Sequence, residues 1–93
     1  MSDNPTLIDN PKLMAALPML RDEFDKALTK HPAFPANETE MVAVMMEELG
    51  EVAKEINDAA PGWRERALVE MAHVAVTAIR SMNAMMDKAE AER

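Results

Sequence analysis

Met46-Glu47-Glu48-Leu49-Gly50-Glu51-Val52-Ala53-Lys54-Glu55 is the stretch around which the rest of the chain can be read. Four carboxylates fall in nine residues of a segment whose apolar spacing is helical. At 100° per residue, Glu48, Glu51 and Glu55 share one face, and Glu47 lies one turn from Glu51 at its edge. Each exposed like-charge pair costs a few tenths of a kcal/mol, and more beside an apolar seam. Two readings follow. The stretch is either a solvated acidic face or a set of carboxylates gathered for a hard divalent cation such as Mg²⁺.

Working outward, Asn37-Glu38-Thr39-Glu40 has the form of a capping box, so the helix carrying this stretch is expected to start there and run to about Ala59. Val42, Met45, Leu49, Val52 and Ile56 form its expected core seam. Gly50 inside it costs roughly 1 kcal/mol against alanine, which suggests close approach of another helix or a ligand, or simple tolerance. Asn57-Asp58-Ala59-Ala60-Pro61-Gly62 ends the helix. A longer one is expected from Trp63 to Ala89, with Leu68, Met71, Ala72, Ala75, Ile79, Met82 and Met86 on its core side.

Val69, Val74, Val76 and Ala78 widen that apolar surface beyond what two neighbouring helices of one short chain cover. The expected architecture is therefore all-α: a helical hairpin-type protomer that oligomerises, as a homodimer or homotetramer, into a four-helix-bundle core. One polar stripe remains on the last helix: Arg66, Glu70, His73, Thr77 and Arg80. It is either that helix's solvent face or a second half of the Glu48/Glu51 site.

Upstream, residues 1–10 read as a flexible polar arm and residues 11–93 as a single domain. Asn10-Pro11 is a helix start, with proline at the first helical position. Leu13, Met14, Leu17, Leu20, Phe24 and Leu28 give a stripe to about Lys30, interrupted by Pro18, where a kink or two short helices are expected. His31-Pro32-Ala33-Phe34-Pro35-Ala36 must be loop, and Phe34 in it is either a lid over a pocket or packing.

Composition narrows the function classes. Of 93 residues 48% are apolar, yet three are aromatic and ten are methionine, a mixture that suits adaptable helical cores better than sheet. A net charge of −7 disfavours nucleic acid and anionic membranes as partners. Without cysteine there is no disulfide, thiolate chemistry or Cys-type zinc site. The sequence contains no run of 18 apolar residues, and Met1-Ser2-Asp3-Asn4-Pro5 lacks a signal peptide's basic start, so a cytoplasmic protein is expected.

The pair "EELGEVAKEI" and "RERALVEMAHVAVTAIR" resembles the MazG-like all-α nucleoside triphosphate pyrophosphohydrolases, a superfamily that includes the dimeric dUTPases. The likeness covers about residues 38–86. The family's Glu-Glu-x-x-Glu element is matched at Glu47, Glu48 and Glu51. Its second element, Glu-x-x-Asp, is matched in one of two registers. Glu70 in the Asp position reproduces the following apolar run, "MAHVAVTAIR", and puts Ala67 where the family has Glu. Alternatively Glu70 takes the Glu position and His73 the Asp position, which keeps four ligand-type residues but fits that run less well. The first register is preferred here.

The resemblance implies metal-dependent hydrolysis of an NTP or dNTP to the monophosphate and pyrophosphate. Glu48, Glu51 and Glu70 would hold Mg²⁺, and His73 as a further ligand would suit Mn²⁺ better. Glu47 is then the candidate to orient or deprotonate the attacking water. Lys54, Arg64, Arg66 and Arg80 are candidates for phosphate, and Trp63 or Phe34 for stacking on the base. No Gly-rich phosphate cradle is present in the sequence, so phosphates would be held through metal. Two other expectations stand beside this one: a catalytically lapsed nucleotide- or metal-binding regulator, and a helical protein-interaction module.

Overall fold

Asn10 opens the first helix with its side chain: Oδ1 accepts from the Leu13 amide at 3.0 Å, and Pro11 occupies the first turn. The structure, a computed structural model, describes residues 9–93. Those residues form α1 (Pro11–Lys30), α2 (Glu38–Asp58) and α3 (Trp63–Ala91), with no strand among them. The arm expected over residues 1–10 lies, up to residue 8, outside the described residues. α1 runs as one helix through Pro18 rather than as two short ones.

Asn37 caps α2 as expected, accepting from the amides of Thr39 at 2.8 Å and Glu40 at 3.2 Å. Its other end closes on Ala59 in the left-handed region (φ 48°), a conformation a Cβ resists. Gly62 (φ 80°) completes the turn into α3. Arg66 clasps this turn: Nε donates to Glu55 Oε2 at 2.8 Å and Nη1 to the Pro61 carbonyl at 2.8 Å. At the far end Lys88 meets Glu38 at 2.7 Å, so α2 and α3 lie antiparallel with an ion pair at each end. α1 packs on α3, has no buried residue and makes no packing contact with α2 among the described residues. The radius of gyration, 15.6 Å, exceeds the roughly 12 Å of a compact chain this long, as an open arrangement requires.

The helices face differently from the expected seams. α2 turns Met41 and Val52 inward, while Val42, Leu49 and Ile56 are exposed. α3 buries Ala67, Ala72, Val76, Thr77 and Ser81 and leaves Leu68, Met71, Ile79, Met82 and Met86 exposed. Small side chains let two helix backbones approach closely, and the buried hydroxyls are satisfied within α3: Thr77 donates to the His73 carbonyl and Ser81 to that of Thr77. Rotating α2 by one residue brings Glu48 and Glu55, rather than Leu49 and Ile56, toward α3. The largest apolar side chains are thus on the outside of the single chain; Met46 is 67% exposed and Leu49 57%.

Gly50 is exposed, and a Cβ built there meets no atom within 4 Å. Within this chain the glycine has no packing role, so Gly50→Ala is expected to stabilise by about 1 kcal/mol. Thermal unfolding should register this as a rise in Tm of roughly 4–8 °C. A fall in Tm would show that something outside the chain presses on α2 at that point.

Candidate functional site

Glu48 occupies the face of α2 that packs on α3, one turn from Val52. Opposite it α3 presents Glu70 and His73, three residues apart and therefore on one side of that helix. One ligand atom from each of Glu48, Glu70 and His73 lies within 4.8 Å of the others. His73 Nδ1 is 3.3 Å from Glu70 Oε2 and 3.7 Å from Glu48 Oε2. That Glu48 oxygen is buried and has no hydrogen-bond partner. An orphaned anionic oxygen is costly, and a cation beside it is the usual remedy.

Protonation follows from this crowding. Burial pushes the Glu48 carboxyl above the ordinary carboxylate range, and the charges of Glu51 and Glu47 push the same way against His73. Glu51 reaches across to Glu70, and the hydrogen bond between two carboxyls needs a proton; this, then desolvation and the Glu70 charge, raises Glu51. For His73, burial alone would favour the neutral ring, yet hydrogen bonds to Glu23 and Glu70 and their charges outweigh it and raise the pKa. Burial likewise pushes Glu23 up, but its bonds to His73 and Lys26 prevail and hold it below the usual range.

Glu48 and His73 of this cluster line a cleft of about 520 Å³ between α1, the 31–37 loop, α2 and α3. Glu23, Glu47, Glu48 and His73 contribute acid and imidazole groups to its lining; Lys26, Lys30, Phe34 and Arg80 contribute cations and a ring. Arg80 donates to the His31 carbonyl at 2.6 Å and stacks over Phe34 at 4.7 Å from the ring centroid. Phe34 is thus both half-buried packing and part of the cleft wall.

Other candidates fall elsewhere. The Arg66 guanidinium is engaged in the α2–α3 turn. Trp63 begins α3, ten residues and roughly 15 Å of helix from His73, and lies with Arg64 in a separate shallow depression. Lys54 is exposed, and its charge acts on Glu51.

Sequence reasoning missed Glu23, whose Oε2 is 2.9 Å from His73 Nε2. Its signal was present: Glu23 lies between Leu20 and Ala27, both half-buried, on the packed side of α1. Ala67, aligned by resemblance with a family carboxylate, is buried in the helix interface at 3% exposure. Comparison with family models, with curated proteins and with solved structures finds no match for the chain.

An acid whose pKa is raised on folding destabilises the fold as pH climbs from its unfolded value through its folded one. Glu48→Gln is therefore expected to raise the metal-free Tm at neutral pH and to change it little below about pH 4. His73 acts oppositely: its raised pKa stabilises fully below about pH 6.5, and that stability is lost as pH rises through the folded pKa. Melting curves across pH in a chelator should show that loss in the parent chain, and His73→Gln should flatten it.

Proposed function

We propose that this chain is a metal-dependent nucleoside triphosphate pyrophosphohydrolase of the MazG-like kind, acting on an NTP or dNTP. The supporting observation is the convergence of Glu48, Glu70 and His73, with Glu51 beside Glu70, where Glu48 and His73 also line a cleft that carries Lys26, Lys30 and Arg80. A triphosphate needs such a pairing of a cation site for its oxygens with basic side chains nearby. The orphaned Glu48 oxygen and a donor set of carboxylates with one imidazole fit a divalent ion, Mg²⁺ or Mn²⁺. Glu48, Glu51, Glu70 and His73 would hold such an ion, which would supply positive charge for hydrolysis of the triphosphate between its α- and β-phosphates.

The chain's own groups divide the remaining work. Glu47, exposed at the cleft, accepts a proton from the attacking water. Arg80 and Lys30 hold phosphate oxygens, and Lys54 approaches from the Glu51 side. Phe34 is the better placed ring for the base, since Trp63 is distant from the cleft. Arg66 serves the fold in this reading.

The apolar groups left outside belong to the same proposal. Val42, Met46, Leu49 and Ile56 on α2 and Leu68, Met71, Met82 and Met86 on α3 repeat at near-heptad spacing on the exposed part of the hairpin. A second copy would cover both stripes and complete a four-helix bundle, as a homodimer or as half of a homotetramer. No helix among the described residues is long and apolar enough to cross a membrane, and a net charge of −7 weighs against nucleic acid. A cytoplasmic setting, where nucleoside triphosphates are at hand, suits this reading.

Buried Ala67 favours a second reading, a nucleotide- or metal-binding regulator that has lost turnover, because a carboxylate the family uses is absent there. Pyrophosphate release from a panel of canonical and modified NTPs and dNTPs, with Mg²⁺ and separately with Mn²⁺, decides between them. The expected outcome is release that falls at least a hundredfold in Glu48→Gln/Glu51→Gln. Nucleotide binding without release supports the regulator. Neither binding nor release removes the nucleotide reading and leaves the helical interaction module. Light scattering should give two or four times the 10.3 kDa chain mass, and Leu49→Glu should return it toward one.

A further inference from the structure

We propose that Glu23 is a positioning residue that fixes His73 as a nitrogen donor to the divalent ion, biasing the centre toward Mn²⁺ over Mg²⁺; this rests on the metal-centre reading above. The two residues come from different helices and meet end to end. Glu23 projects from α1 with its side chain 11% exposed, and Oε2 lies 2.9 Å from His73 Nε2. Its other oxygen, Oε1, is 3.3 Å from Lys26 Nζ, so both carboxylate oxygens are engaged.

An imidazole has two nitrogens and two neutral tautomers, and only the nitrogen without a proton can bind a metal. A free ring would divide between tautomers and turn about its bond to Cβ. Carboxylates accept at both ring nitrogens, Glu70 at Nδ1 and Glu23 at Nε2; when a metal ion takes the place of the Nδ1 proton, Glu23 keeps the remaining hydrogen on Nε2. That choice leaves the Nδ1 lone pair on the side of Glu70 and Glu48, at 3.3 and 3.7 Å from their oxygens. A carboxylate behind a histidine in front of a metal is the recurrent way such ligands are oriented.

The donor set then decides the metal. Mg²⁺ favours oxygen donors and water, whereas Mn²⁺ stands higher in the affinity order for sites that include imidazole. An acidic cluster without His73 would be an ordinary Mg²⁺ centre. The alternative role for Glu23 is purely mechanical, a polar clamp between α1 and α3, and it predicts no nitrogen on the metal.

Pulsed electron paramagnetic resonance on Mn²⁺ added to the metal-free protein distinguishes them. The expected result is ¹⁴N coupling to bound Mn²⁺ in the parent chain, lost in His73→Gln while Mn²⁺ still binds through carboxylates. Glu23→Ala should weaken Mn²⁺ binding by about tenfold to a hundredfold and reduce the coupling. Glu23→Gln, whose amide oxygen still accepts from Nε2–H, should restore most of both. Glu23→Leu, which retains bulk between α1 and α3 without an acceptor, should behave like Glu23→Ala and serves if that variant does not fold. In His73→Gln and Glu23→Leu the preference for Mn²⁺ over Mg²⁺ should shrink together.

Bound Mn²⁺ without ¹⁴N coupling in the parent chain overturns the inference and leaves a carboxylate-only metal centre standing. Coupling and affinity unchanged in Glu23→Leu overturn the positioning role alone. Failure to bind Mn²⁺, or binding that Glu48→Gln does not weaken, overturns this inference and the metal centre together.

Discussion

Small side chains along one face of α3 govern the molecule. Ala67, Thr77 and Ser81, on the side of α3 that carries Glu70, let α2 come close, and in the rotation that results Glu48 faces α3. A carboxylate on a packed face loses solvation that its neighbours must replace. Glu70 and His73, one helical turn apart, are on the matching side of α3. The anionic cluster and the helix packing are consequences of a single geometry, and a bulkier residue at Ala67 would disturb both.

The charge balance within the cluster is incomplete. Glu48 retains an oxygen with no donor, and the proximity of Glu70 pushes the Glu51 carboxyl above its ordinary range. Such an arrangement stabilises a monomeric fold poorly, as marginal stability leaves little room for unfavourable terms. It is the pattern expected where a site is arranged for a ligand rather than for the fold. The cations Lys26, Lys30 and Arg80 share the cleft without being paired to the orphaned oxygen, so the cleft presents both signs of charge to whatever enters it.

Three helices, their caps and their turn residues were legible in the sequence because these depend on local chemistry: Asn10 before Pro11, Asn37 before an acidic first turn, and Pro61-Gly62. Glu70 and His73 were legible as neighbours on α3 because helical periodicity is also local, whereas periodicity left open whether their stripe faces solvent or Glu48. Facing was not. Each of α2 and α3 has two surfaces that can pack, and periodicity identifies the more apolar one, through Leu49 and Ile56 or Leu68 and Met82. α3 packs its smaller-residue surface on the chain instead, while α2 turns Met41 and Val52 inward. Glu23 escaped notice for a related reason: it is a charged residue within an apolar stripe, fifty positions from its partner His73, and nothing short-range links them.

The manner in which α1 is held has a consequence of its own. It buries no residue and among the described helices meets α3 alone, and its polar attachments include Glu23 to His73 and, through the loop that follows it, Arg80 to the His31 carbonyl. Hydrophobic docking would be indifferent to added salt or slightly strengthened by it, whereas attraction between partly exposed charges weakens within a Debye length of about 8 Å at physiological ionic strength. α1 is therefore the element with least to lose on detaching, the low-stability unit of the molecule. Since it lines one wall of the cleft, that wall is held in part by charged contacts that salt screens.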